Sequence, residues 1–516
     1  MTPSDDLPAL LELLSQLSRS KAPALAGLFR GAEPIVLARA PGRLDVMGGF
    51  ADYSGSLALE LPIAEATFVA AQAHAEPSVE VVSAGLGPAA GQLRHAAFPL
   101  AELAESSQSY AAARAYFQRD AATAWAAYVA GMCAALRVEL GLELRSGVSL
   151  LVASSVPEGK GVSSSAALEV ATLGALAGIH GLRIDPVQAA LVCQRVENLV
   201  VGAPCGVMDQ MTSSCGSAGE LLPLVCQPAE LEPSFAIPEG LAFWGIDSGL
   251  RHEVQGADYT EVRVAAFMGY RWLAEARGLS VRASEREGHV SVSDPEWGGY
   301  LARVPRAEFD QRYRELLPER IAGAEFLRRF AGITDPITSV RPLASYRVRA
   351  ATTHPVYEHA RASEFRRLLQ SPELSAGTEA GRQRALLERL GALMHETHES
   401  YSACGIGSSG TDRLVALVAE LGPEQGLFGA KITGGGSGGT VAVLGRAGAG
   451  AAVRAVAERY ARETGRVPYL FSGSSPGAAA FGQRRLERTA DGWRVAGAAE
   501  TRGAELRGAE QERSRA

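Results

Sequence analysis

The 516-residue chain is poor in cysteine and in aromatic residues, and it has no long apolar run. Its six cysteines (Cys133, Cys193, Cys205, Cys215, Cys226 and Cys404) show no C-x-x-C spacing, and a chain this long needs no disulfide staples, so reduced thiols in a cytoplasm are expected. No uninterrupted apolar stretch approaches the roughly 20 residues that a membrane span requires. The formal charge is −7, and no run of Lys or Arg interleaves with aromatics, so the electrostatic footprint of a nucleic-acid binder is missing. The opening MTPSDDLPALLELLSQL is acidic where a secretion signal is basic, and its leucines at 7, 10, 11, 14 and 17 follow helical spacing. A cytoplasmic globular protein is expected from these absences, and a monomer with small molecules as partners is expected besides.

The length exceeds what one small core organises and suggests two or three domains, or one two-lobed enzyme. A helical extension is expected over 1–30. PIVLARAPG reads as a short strand running into a Pro-Gly turn, and ATFVAAQAH as a second strand. From about 145 to 205 the pattern alternates strand (VSLLVASS), glycine loop (VPEGKGVSSS), helix, and a second helix from Asp185. LAFWGIDSG reads as a buried strand before a helix over about 258–277. Residues 280–350, rich in charge and Pro and without a clear period, read as a variable insertion carrying little functional signal. The Ala, Glu and Arg tail over 491–516 is expected to be mobile.

Three segments carry chemistry. Gly159, Lys160, Gly161, Val162, Ser163, Ser164, Ser165 and Ala166 lie between a strand and a helix, where inward-turned amides and a helix N-terminus favour a phosphate. The loop is not a Walker A motif, because Gly161 rather than Ser or Thr follows Lys160. The less favoured alternative is a strand–helix connection capped by its serines. Glu197 and Asp209, the latter in CGVMDQ, suit a magnesium ligand and a base facing a substrate hydroxyl, though carboxylates so spaced are usually solvated. Thr433 to Thr440 holds five glycines, among them Gly435 and Gly436, running straight into the apolar TVAVLG. A flexible linker has that composition too, but close packing on a ligand or on the first loop explains the strand that follows.

Together with PGRLDVMGGFADY at 41–53, these segments resemble, in order and spacing, the three motifs of the GHMP kinases, over about 35–485. Within that superfamily the chain is similar to galactokinase-like sugar-1-kinases, and APGRLDVMGGFADYSGS, VPEGKGVSSSAALEVA and GAKITGGGSGGT resemble the L-arabinokinases among them. The resemblance implies an α+β, two-lobed fold. A ribosomal-protein-S5-like N-terminal lobe over 31–235 meets a ferredoxin-like C-terminal lobe over 236–490 at an active-site cleft. It implies ATP as co-substrate and Mg2+ as cofactor, with the 159–166 loop, Gly435 and Gly436 around the phosphates and Trp125 near adenine. Trp125 reads equally as a core aromatic beside Tyr128. Ser165 and Glu197 would reach the metal, Asp209 would accept the proton of the anomeric hydroxyl with Arg43 against it, and Asp52, Gly206 and Tyr259 would contact the sugar. An upstream glycosyltransferase-like domain, carried by some arabinokinases, is expected to be absent.

Gly49-Phe50 stands where galactokinases have a Glu-His pair near the hydroxymethyl end of the sugar. L-Arabinopyranose is D-galactopyranose without that group, so an apolar pair fits the smaller sugar. An apolar pocket rejects an added hydroxyl only about a hundredfold, so weak residual galactose activity is expected. Gly49→Glu with Phe50→His is expected to shift preference toward galactose. The alternatives are a kinase for galactose, fucose or galacturonate, and a non-catalytic sugar or ATP sensor. Galacturonate would require a cation near C6, from Lys160 or the insertion.

Overall fold

The computed structural model describes residues 6–17, 23–30, 33–86, 93–250, 257–374, 379–489, 492–498 and 502–503. Among them a ten-stranded sheet is organised on one long strand, Leu57–His74. That strand pairs with Ile35–Met47 along most of its length. It also pairs with Glu220–Cys226 at its beginning (Leu57 opposite Val225) and with Gly147–Ser154 at its end (Thr67 opposite Ser154). Ser78–Gly85 then joins in parallel and Leu93–Pro99 closes the edge. Both central strands are buried along nearly every residue, which explains their continuous rather than alternating apolar reading.

The expected short strand ending at a Pro-Gly turn is corrected here, because Ile35–Met47 runs unbroken through Pro41-Gly42. Register shifts between Pro41 and Arg43 and between Asp45 and Met47 absorb the proline, which has no N–H to give the ladder. Just past the first shift Arg43 meets Asp209 on helix Met208–Cys215, which packs on this sheet as Ser164–Ile179 does. Helix Asp6–Leu17 buries Leu10, Leu14 and Leu17, and its Asp6 carboxylate accepts from Nε and Nη2 of the buried Arg39 at 2.9 and 2.7 Å.

A second, antiparallel sheet runs in the order Leu427–Ile432, Thr440–Arg446, Leu241–Asp247, Leu470–Ser472. Helices Ser409–Leu421 and Gly450–Thr464 cover it, sealing Trp244, Ile246, Leu414 and Val456. A further core forms where the long helices Ala257–Arg277 and Val348–Leu369 pack together. Residues 280–350 join that core through Trp297, Phe309, Phe326 and Ile333. Their lack of a period has a physical cause: they fold as a hairpin (Ser280–Ala283 with Val290–Ser293) and a series of short helical turns.

The tail expected to be mobile from 491 is corrected in part. Gly492–Ala498 pairs with Arg484–Thr489, which itself extends the first sheet beside Ile35–Met47, and Trp493 packs on Phe29. Residues 504–516 lie outside those described. Among the described residues no helix is long and apolar enough to cross a membrane.

Candidate active site

Arg43 sits where the two sheets approach each other. Its guanidinium gives two bonds to Asp209 Oδ1, from Nε at 2.9 Å and from Nη2 at 2.8 Å, and Nη1 donates to the Gly161 carbonyl at 2.7 Å. Arg43 is 2% exposed, whereas the Asp209 side chain keeps 22% of its surface open. The buried cation thus holds a carboxylate that faces the cleft. Gly42 has no alternative residue, since a Cβ there would lie 2.5 Å from the Val162 carbonyl. Behind Arg43, Glu60 is fully buried, and burial with neighbouring Asp45 raises its carboxyl well above the usual range. Glu60 Oε2 nonetheless lies 3.4 Å from Arg43 Nε, so the guanidinium is shared between Asp209 and Glu60.

The two glycine loops pack on one another. Thr440 Oγ1 donates to the Lys160 carbonyl at 2.8 Å. A Cβ at Gly439 would meet that same carbonyl at 2.8 Å, and one at Gly434 would meet Arg43 Nη2 at 2.9 Å. Each loop also holds a serine in the left-handed region, Ser163 and Ser437, both at φ 60°, with hydroxyls that are buried and make no hydrogen bond within the protein. Strained, unpartnered donors of this kind gather at ligand sites. Ser163 is also the residue from which helix Ser164–Ile179 starts, so that helix's free amides open on the same side. Lys160 Nζ is engaged by the buried Asp247 carboxylate. This corrects the suggestion that Lys160 supplies a cation to a sugar.

Glu197 lies at the turn that ends helix Pro186–Val196, with Ser165 hydrogen-bonded to it and Gln210 Nε2 donating to its Oε2 at 2.5 Å. Burial and the nearby Asp209 raise its carboxyl to about 7, and Glu169 beside it is raised well above the usual range. Ser165 and Glu197 are hard oxygen donors with Asp209 and Glu169 nearby, a set that fits a divalent cation such as Mg2+. Ser164 and Ser165 also line a cavity of about 280 Å³ with Trp125, Tyr128 and Glu158. Trp125 is half-buried there and packs against the first sheet's core as well. Gly435 and Gly436 lie on the facing loop, on the turn between strands Leu427–Ile432 and Thr440–Arg446.

Asp52, Gly206 and Tyr259 come together near Asp209. A Cβ at Gly206 would fall 1.5 Å from Asp52 Oδ2, so only glycine admits that carboxylate. Burial and Asp209 push Asp52 up to about 7, opposed by the charge of Arg263. Tyr259 is buried, with its ring edge-on to Tyr53 at 6.5 Å. Gly49 and Phe50, which the resemblance places near the hydroxymethyl end of the sugar, are packed on other side chains. A Cβ at Gly49 would lie 1.6 Å from the Tyr401 hydroxyl, and Phe50 is 1% exposed, stacked on His354 at 3.9 Å and edge-on to Tyr401 at 4.6 Å. The glycine is there because Tyr401 fills the space.

Sequence reading missed the clasp behind this region. Lys431 Nζ reaches Asp45 Oδ2 at 2.5 Å, both side chains fully buried, and the same carboxylate accepts the amides of Gly434 at 3.1 Å and, through Oδ1, of Gly49 at 3.1 Å. Thr433 Oγ1 donates to the Asp45 carbonyl at 3.1 Å. The signal was present, a lone Asp in PGRLDVMGG and a lone Lys in GAKITGGG, but their separation of 386 residues hides the pairing.

Three family models match the chain: the GHMP kinases N terminal domain over 127–217, the GHMP kinases C terminal over 383–462, and the galactokinase galactose-binding signature over 27–73. The L-arabinokinase of Arabidopsis thaliana is 44% identical over 508 residues, which is 90% of this chain but 48% of that protein, so the chain spans about half the length of this relative. The galactokinase of Streptomyces coelicolor is 29% identical, covering 88% of this chain and 95% of its own. The structure of Lactococcus lactis galactokinase complexed with galactose superposes with a TM-score of 0.66 at 18% identity, covering 92% of this chain and 99% of that one.

Proposed function

The chain belongs to the GHMP kinases and carries their fold, and from that premise we propose that it phosphorylates the anomeric hydroxyl of L-arabinose with ATP, giving β-L-arabinose 1-phosphate and ADP. The observation that carries this reading is the Arg43 guanidinium, which joins the open Asp209 carboxylate to the Gly161 carbonyl of the first glycine loop. A hydroxyl beside Asp209 and a phosphate on that loop would be neighbours.

In the proposed reaction the sugar lies among Asp52, Gly206 and Tyr259, with its anomeric hydroxyl donating to Asp209. The ATP phosphates lie on the 159–166 loop with Gly435 and Gly436 over them, and adenine enters the cavity beside Trp125. The new bond forms between the sugar oxygen and the γ-phosphorus, the bond to the β–γ bridging oxygen breaks, the sugar proton passes to Asp209, and ADP leaves. Phosphoryl transfer needs alignment and charge neutralisation more than a strong base. Arg43 supplies positive charge between carboxylate and loop, and the unpartnered Ser163 and Ser437 hydroxyls are placed to serve phosphate oxygens. Ser165 and Glu197 would hold Mg2+, which when bound neutralises charge on the phosphates.

L-Arabinose is favoured because a protein bearing the name L-arabinokinase is 44% identical, against 28–29% for the galactokinases. Galacturonate is disfavoured, since Lys160 is paired with Asp247. Coupled ADP release across L-arabinose, D-galactose, L-fucose and D-galacturonate tests the choice. L-Arabinose should give the highest kcat/KM with weak galactose turnover, and galactose equal or preferred would overturn it.

A further inference from the structure

Residues 280–350, which carried no readable motif, deliver one side chain to the region of Asp52, Gly206 and Tyr259. Asp335 is fully buried and grips Arg263 with both oxygens, accepting from Nε at 2.7 Å and from Nη2 at 2.9 Å. Its remaining capacity is filled by Thr338 Oγ1 at 2.6 Å and the Ile337 amide at 3.1 Å. The turn that bears it is itself held, because His289 Nε2 bonds with the Thr338 carbonyl at 2.8 Å and the Val290 amide donates to the Ile333 carbonyl at 2.9 Å. The carboxylate is therefore fixed by the insertion's own framework.

Arg263, 5% exposed on helix Ala257–Arg277, spends its other face on the proposed sugar region. Nη1 donates to the carbonyl of Cys205, the residue before Gly206, at 3.3 Å, joining donors from Asn198 at 3.3 Å and Gln194 at 3.4 Å. Its guanidinium carbon lies 5.2 Å over the ring of Tyr53, next to Asp52, and its charge draws Asp52 down against burial. One planar cation thus spans the Cys205–Gly206 turn and the Asp52–Tyr53 turn. A buried guanidinium stripped of its carboxylate would not keep that position, since an unpaired buried charge is strongly unfavourable.

We propose that Asp335 is a positioning residue for the sugar: through Arg263 it fixes the Cys205–Gly206 turn against Asp52, so the 280–350 segment sets sugar affinity and leaves ATP affinity alone. This rests on the sugar-kinase reading above. The full-length Asp335→Asn protein is assayed with the panel sugar that wild type turns over best, and sugar binding without ATP is measured by calorimetry. The sugar KM and Kd should rise at least about tenfold while the ATP KM stays within about twofold. Arg263→Lys should do the same, and the double variant should be no worse than the poorer single one. Arg282→Ala, exposed on the insertion's hairpin, should change neither constant. Should Asp335→Asn fail to fold, Thr338→Val, which removes one bond to Asp335 and keeps the shape, should raise the sugar KM alone by a smaller factor. A sugar KM and Kd unchanged in Asp335→Asn or Thr338→Val, or both KM values rising together, overturns the inference alone. A wild-type protein that phosphorylates no sugar of the panel overturns the function reading and this inference with it.

Discussion

The hydroxyl of Tyr401 stands where a side chain at Gly49 would begin: an added Cβ would be 1.6 Å from it. That hydroxyl donates to the Gly434 carbonyl at 2.7 Å and accepts from the Phe50 amide at 3.1 Å, so it ties the segment bearing Asp52 to the second glycine loop. The consequence alters the specificity test suggested by sequence. Gly49→Glu with Phe50→His would displace Tyr401 and should give a destabilised, poorly active protein rather than a galactose-preferring one. Tyr401→Phe, which leaves a buried amide and carbonyl unpaired, should cost about 1–3 kcal/mol in urea unfolding. A stable Gly49→Glu/Phe50→His protein with wild-type turnover would contradict the role given to Tyr401.

Lys431→Met should lower unfolding stability by about 3–5 kcal/mol, because it leaves the Asp45 carboxylate buried and unpaired. Adding Asp45→Asn should recover part of that loss, since the pair and not the lysine alone is at stake. Equal stability of the two variants in a denaturant titration would show that Asp45 is satisfied by the Gly49 and Gly434 amides without its cation.

The pH dependence of the ligand-free protein should carry the signature of Asp52. Its carboxyl ionises near 3.8 when unfolded and at about 7 when folded, so between those values the unfolded chain releases a proton that the folded one retains. Stability from this group therefore falls as pH rises from about 4 to about 7, then stays level. Compared with Asp52→Asn, wild type should lose Tm between pH 5 and pH 8. A Tm difference that does not change with pH would contradict the raised carboxyl.

Asp209→Asn should lower kcat by at least about a thousandfold while sugar binding, followed by calorimetry, persists. Loss of both together would place Asp209 in binding rather than in proton transfer.

What was legible in the sequence was local. The glycine loops, the helix beginning near Asp185 and the apolar strands are each written within some ten residues, and Asp185 accepts the amides of Val187 and Gln188 at 3.1 Å. What was not legible depends on pairs distant in the chain: Asp45 with Lys431, Arg263 with Asp335, Gly49 with Tyr401. The long first strand was missed because Pro-Gly normally ends one, and only the bulged register lets this one continue. The insertion looked silent because its turns are too short to show a period, although Asp335 sits among them.

The most direct test of a kinase acting at the anomeric position is the identity of its product. Wild-type protein incubated with ATP, Mg2+ and L-arabinose, followed by phosphorus and proton NMR, should show ADP with a phosphate bonded at C1 of the sugar. Phosphate on any other hydroxyl, or ATP hydrolysed with the sugar unmodified, would contradict the account.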